Sequence, residues 1–141
     1  MKSVTVERIR IRYGETDQMG HVYYGNYMLF FEQARAAWCR ERGAPYKEIE
    51  AMGYKLPCVE VWTKYRGEIK YDDVIAVRVW VEEARRAAMQ FQYEIVNESS
   101  WKSVTEGYTW HVVVDETMKA VSIPPFIREM IEKEPENSDS A

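Results

Sequence analysis

The sequence predicts an α+β fold: one long apolar helix wrapped by a curved antiparallel sheet of about five strands, with a short C-terminal helix. Three observations predict it. The hydrophobic period switches from two to 3.6 residues near Tyr24 and returns to two near Val59. The helical stretch is apolar over a wide face, so it needs cover on more than one side. The later strand-like runs are joined by connections too short for a crossover, so they pair antiparallel. A sheet curled around the helix satisfies all three.

Each element has its own signature. Residues 8–13, RIRIRY, alternate strictly, with Ile9, Ile11 and Tyr13 on one face and Arg8, Arg10 and Arg12 on a solvated or interface face. Residues 14–25 form a loop interrupted by Gly14, Gly20 and Gly25. From about Tyr24 to Arg42, Tyr27, Phe30, Phe31, Ala34 and Trp38 make one helical stripe, widened by Leu29, Ala36 and Ala37; Gly43 and Pro45 end it. YKEIEAMG gives a short second helix stopped by Gly53.

Four strands follow. Val59, Val61, Thr63 and Tyr65 alternate with Glu60, Trp62, Lys64 and Arg66. Ile75, Val77, Val79 and Val81 make the next apolar face, and Met89, Phe91, Tyr93 and Ile95 the one after. The run from Trp101 to Asp115 carries Tyr108, Trp110, Val112 and Val114 on one face, with Gly107 marking a kink or bulge that helps the sheet curl. PPFIREMIEK is a short terminal helix. Trp62 and Trp80, among the Arg, Glu and Gln of the outer sheet face, point to a subunit interface.

Size and charge narrow the class. The 141 residues suit a single domain, expected over 1–134, with 135–141 a frayed tail. A net charge of −4 disfavours a broad nucleic-acid footprint. No run approaches the ~18 apolar residues of a membrane span. The opening MKSVTVERIRIRY lacks the apolar core of a signal peptide. Cys39 and Cys58 show no C-x-x-C spacing, so reduced thiols and a cytoplasmic location are expected. His21 and His111 with two scattered cysteines do not form a zinc set, so no metal is expected.

What remains is a carboxylate, Asp17, on a glycine loop that leads into a helix N-terminus. The first helical turn leaves backbone amides unpaired, and the macrodipole adds partial positive charge there. Such amides polarise a carbonyl and hold an oxyanion, while a nearby carboxylate attacks the carbonyl or activates a water. Acyl transfer is the natural reaction; the alternative is that Asp17 only caps the helix or a turn. His21 either helps place water or thioester or fixes the loop, and His111 reads as structural. Glu32 and Arg35 are spaced to pair along the helix.

The run YGETDQMGHVYYGNYMLFFEQAR resembles the signature of the hotdog-fold acyl-CoA thioesterases of the 4-hydroxybenzoyl-CoA thioesterase type, including the YbgC-like branch, in the pattern T-D-x-x-G-H-V-x-x-x-x-Y-x-x-x-x-E-x-A-R. YRGEIKYDDVIAVRVWV resembles the family's strand–loop–strand segment with its acidic pair, and the likeness extends over roughly residues 5–133. It implies Asp17 as nucleophile or general base and the backbone amide at Tyr24, in the Tyr23–Gly25 turn, as carbonyl polariser. His21 is a further catalytic candidate, and Tyr23, Gly25 and Tyr27 are candidates for substrate contact, with Met19 and Phe30 beside the acyl pocket. Arg85 and Arg86 are the candidates for the CoA phosphates, ahead of Lys64, Arg66 and Lys70. The resemblance further implies a homodimer or homotetramer with the site at the subunit interface, a CoA or acyl-carrier-protein thioester as substrate, and no cofactor. Two rivals stand beside it. One is a hotdog hydratase or dehydratase using His21 with Glu32, although the H-F-P-G-like loop is missing; the other is a non-catalytic acyl-thioester binding module.

Overall fold

Tyr27, Phe30, Phe31, Ala34 and Trp38 are all buried, and they fix the face by which the long helix α1, Tyr27–Glu41, enters the core. The computed structural model describes residues 3–133, so the expected tail at 135–141 lies outside the described residues. α1 begins after a 3-10 turn at Tyr24–Asn26 and stops where Gly43 takes a φ of +88°. Leu29 does not join the buried stripe: it is exposed, although Ala37 does. A short helix α2, Tyr46–Ala51, follows and ends at Gly53, φ +94°.

The strands are β1 Thr5–Arg10, β2 Cys58–Tyr65, β3 Val74–Ala84, β4 Ala88–Asn97 and β5 Lys102–Val112; a last helix, α3, spans Pro125–Glu132. They form one antiparallel five-stranded sheet in the order β1-β3-β4-β5-β2. α1 packs across β1 and β3, and its Phe31 ring stacks on Tyr93 of β4 at 4.2 Å between centroids. Ile75, Val77 and Val79 of β3 and Met89, Phe91, Tyr93 and Ile95 of β4 close over the helix, each fully buried. Each such side chain contributes about 1.5–3 kcal/mol of burial.

Three expectations change. Tyr13 is not a strand residue: β1 ends at Arg10, and Tyr13 opens a 3-10 turn with its ring exposed. On β5 the apolar run Tyr108, Trp110 and Val112 faces outward; Thr105, Gly107, Thr109 and His111 face the helix. The register dictates this, because Gly107 lies opposite Tyr93, and Thr109 opposite Phe91. Gly107 is also not a bulge, since pairing runs unbroken through it on both sides. A Cβ there would lie 2.8 Å from the Trp62 carbonyl oxygen and 3.0 Å from the Phe31 ring, so the glycine makes room for the helix. The irregularities fall instead at Val81/Glu83, Ile95/Val96 and Cys58/Glu60.

β2 sits at the sheet edge and is exposed along both faces, with Val59, Val61, Trp62 and Tyr65 all open. On the outer face Trp62 stacks on Tyr108, and Arg78 and Arg85 lie over Trp80 and Trp110. The Arg8, Arg10 and Arg12 stripe is solvated, each arginine holding one carboxylate: Glu98, Asp72 and Glu15.

Candidate active site

The loop between β1 and α1 is held by its own backbone. The Asp17 amide donates to the His21 carbonyl at 2.8 Å, and the Gly20 amide to the Asp17 carbonyl at 3.0 Å. Gly20 has a φ of +82°, the left-handed region that glycine occupies without penalty. Asp17 Oδ1 accepts from the Met19 amide at 2.9 Å and from the His21 amide at 3.3 Å. One carboxylate oxygen therefore fastens the turn; among the described residues nothing donates to the other. The Val22 amide donates to Ile69 and His21 bridges to Lys70, so the loop is stitched to the segment entering β3.

The chain then turns into α1. Tyr23 donates its amide to Glu15, and the Asn26 side chain binds the same carbonyl. Among the described residues none accepts from the amides of Tyr24 or Gly25, which open the 3-10 turn. A Cβ at Gly25 would lie 2.7 Å from the Tyr23 ring, so only glycine leaves that ring its place. Tyr23 and Tyr24 are exposed, with rings 4.6 Å apart, whereas the Tyr65 hydroxyl donates to the Tyr24 carbonyl at 3.3 Å. Tyr27 is a core residue, only 4% exposed and wedged against Tyr65 and Phe30. Burial pushes its phenol up to about 12. A cavity of about 440 Å³ flanks the loop between Arg12, Gly14, Glu15, Asn26 and Leu29; Asp17 and His21 do not line it.

The other candidates have partners that local sequence did not show. His21 Nε2 lies 3.0 Å from Glu68, which also holds Lys70 at 3.2 Å. The His21–Glu32 acid–base pair of the hydratase reading is thus not assembled, and Glu32 stands exposed on α1. Nor does Glu32 pair with Arg35, which donates to the hydroxyls of Tyr46 at 2.6 Å and Tyr93 at 2.9 Å. Arg85 is held by Glu83 and covers Trp110, while Arg86 binds the Ser122 hydroxyl. Both arginines sit at the end of β3 remote from the Asp17 loop. That strand is 11 residues long, or about 36 Å. A single chain does not bring the two groups together. Among the described residues no cluster of three His, Cys, Asp or Glu side chains is placed to hold a metal ion, and no helix is long and apolar enough to cross a membrane.

Glu68, Tyr65, Tyr46 and Tyr93 escaped the reading of the chain because each meets its partner across the fold. Arg35 left a trace: it closes the E-x-A-R end of the motif.

Comparison with known proteins agrees with this architecture. Residues 11–131 match the model of the Thioesterase-like superfamily. A solved DHNA-CoA thioesterase of Staphylococcus aureus is similar to this chain at 32% identity and a TM-score of 0.85, over 92% of this chain and 89% of that one. A hypothetical protein of Aquifex aeolicus is equally similar, at 32% identity and a TM-score of 0.85 over 90% of this chain and 98% of its own. The acyl-CoA thioester hydrolase YbgC of Escherichia coli O157:H7 is 25% identical over 89 residues, 63% of this chain and 66% of that protein. The fold is the hotdog fold, and its class is that of the thioester hydrolases. The chain belongs to the Thioesterase-like superfamily.

Proposed function

We propose that the protein hydrolyses an acyl- or aroyl-CoA thioester to the free acid and CoA. The observation that carries the reading is the arrangement of one loop: a carboxylate with one oxygen fixed and the other unengaged, followed by the unpaired amides of Tyr24 and Gly25 at the head of a buried helix. Asp17 acts as nucleophile, or as the base that takes a proton from the attacking water. The Tyr24 amide holds the oxyanion as the carbonyl carbon becomes tetrahedral. The C–S bond then breaks; where Asp17 is the nucleophile, this leaves an acyl–Asp17 anhydride that water hydrolyses to the free acid, restoring the carboxylate. A thiolate leaves readily, so the step needs no strong general acid, and no metal or organic cofactor is invoked. The relatives named for CoA thioesters support CoA as the donor over an acyl-carrier protein.

The site is completed by a second copy. β2 offers an open edge with exposed apolar residues, the feature a two-fold partner covers. Antiparallel pairing of two β2 edges reverses the second sheet. The partner subunit's Arg85 and the partner subunit's Arg86 then lie at the same end of the joined sheet as Asp17, where they serve the CoA phosphates. Such a homodimer, alone or doubled to a tetramer, working in the cytoplasm, is the expected state. His21, anchored on Glu68, positions the loop.

Asp17→Asn tests the chemistry cleanly, because Asn retains the oxygen that accepts the Met19 and His21 amides. A fall in kcat of about 10²–10⁴-fold is expected with benzoyl-CoA, at unchanged melting temperature. Near wild-type thiol release would remove Asp17 from the mechanism. Exhaustive dialysis against a chelator is expected to leave turnover unchanged.

A further inference from the structure

Arg35 is a half-buried cation that meets no carboxylate among the described residues. Among the described residues every arginine ion pair belongs to another position, and the nearest acid along the helix, Glu32, does not reach it. Its Nε and one Nη1 hydrogen go to two neutral phenols, Tyr46 and Tyr93. Tyr93 is itself committed to Thr109, 2.7 Å away, so the guanidinium is clamped in orientation. Its remaining N–H groups, the outer fork of the guanidinium, have no acceptor among the described residues. Arg35 lines a cavity of about 280 Å³ between α1, α2 and the segment entering β2. The rim holds Lys55, also without an ion pair among the described residues, and one acid, Glu50; Leu56, Pro57 and Met118 form apolar walls.

We propose that this cavity binds a small organic carboxylate, its two oxygens on the outer fork of Arg35 and its hydrocarbon part against Leu56, Pro57 and Met118. A planar fork matches a planar carboxylate with two parallel hydrogen bonds, whereas a tetrahedral phosphate would set a third hydrated oxygen against the apolar wall. A guanidinium tied to neutral phenols is pre-oriented and keeps its charge uncompensated, so an anion gains where a neutral isostere does not. Lys55 adds to the attraction and Glu50 opposes it. Within one chain no residue of the Asp17 loop lines the cavity, and the site stands whether or not that loop performs the chemistry proposed above.

Calorimetric titration of the intact protein with benzoate, benzamide and inorganic phosphate tests it. Benzoate is expected to bind once per chain, with benzamide and phosphate at least about tenfold weaker. Arg35→Gln should abolish binding. Because that change also unties Tyr46 and Tyr93, two rim variants that leave the core alone accompany it. Lys55→Gln is expected to weaken benzoate about two- to fivefold, and Glu50→Gln to strengthen it by a similar factor. Asp17→Asn should leave the affinity unchanged. The proposal is overturned if benzoate does not bind, if benzamide binds as well, if both rim variants match the wild type, or if Asp17→Asn alters the affinity and so locates the acid on the catalytic loop.

Discussion

His111 Nδ1 lies 2.8 Å from the Leu56 carbonyl, and that one contact orders a whole chain of protons. A carbonyl only accepts, so Nδ1 carries the hydrogen and Nε2 must accept, 2.9 Å from the Thr109 hydroxyl. Thr109 therefore accepts from Tyr93, and Tyr93 from Arg35. Protonating His111 would put a second donor against Thr109 and reverse the chain toward a guanidinium that cannot accept. Burial, and next the charge of Arg35, accordingly lower its pKa to about 4. The unfolded chain, with an ordinary histidine, binds the proton first, so stability is present above about pH 6.5 and declines as pH falls toward about 4. The loss is about 3 kcal/mol, and below the folded value it levels off. Urea unfolding at pH 7 and pH 4.5 should show this decline in the wild type and a flatter one in His111→Gln. Cys39 is the contrasting buried group: desolvation pushes its thiol up to about 12, leaving it inert, while Cys58 is exposed.

At the scale of elements, β5 shows how pairing overrides composition. Its Tyr108, Trp110 and Val112 sit outward because the register with β4 assigns Gly107, Thr109 and His111 to the helix side. The inward face is built for fit: a glycine where Phe31 presses in, then two polar residues that satisfy each other. Gly107→Ala would drive a methyl into backbone on one side and an aromatic ring on the other. It is expected to cost about 1–3 kcal/mol, read as a lowered denaturation midpoint at constant slope. The Asp17 loop is an element of the same kind. Its geometry comes from bonds among its own backbone groups and from Ile69 and Lys70, so it is held by the segment that leads into β3.

At the scale of the molecule, the sheet has two edges of different character. β1 is short and guarded by paired arginines, while β2 is open and carries exposed valines, a tryptophan and a tyrosine. The open edge is where a second copy is expected, and on the function proposed above that pairing would bring the partner's arginine turn to the end that holds Asp17. Val61→Lys places a charge in the centre of that edge. Sedimentation should then show a shift from dimer or tetramer toward monomer, and thioesterase activity should fall with the assembly. An unchanged assembly in that variant would assign the subunit contact to the outer face bearing Trp62, Trp80 and Trp110.

The sequence by itself determined the order of elements, the buried stripe of α1, the apolar faces of β3 and β4, and the placing of Asp17 just ahead of unpaired amides. All of these are local: a 3.6 or 2.0 period, a glycine stop or a cap is written in adjacent residues. The tertiary structure decided which face of β5 meets the core, that Gly107 is there for space, that Tyr27 is packed away, and that His21 answers to Glu68 and Arg35 to two tyrosines. It also showed that Arg85 and Arg86 stand a strand's length from Asp17. Those facts depend on register and on contacts across the fold, in the case of Arg35 with residues 11 and 58 positions away. A period of two names two faces of a strand, but only the neighbouring strand selects the buried one.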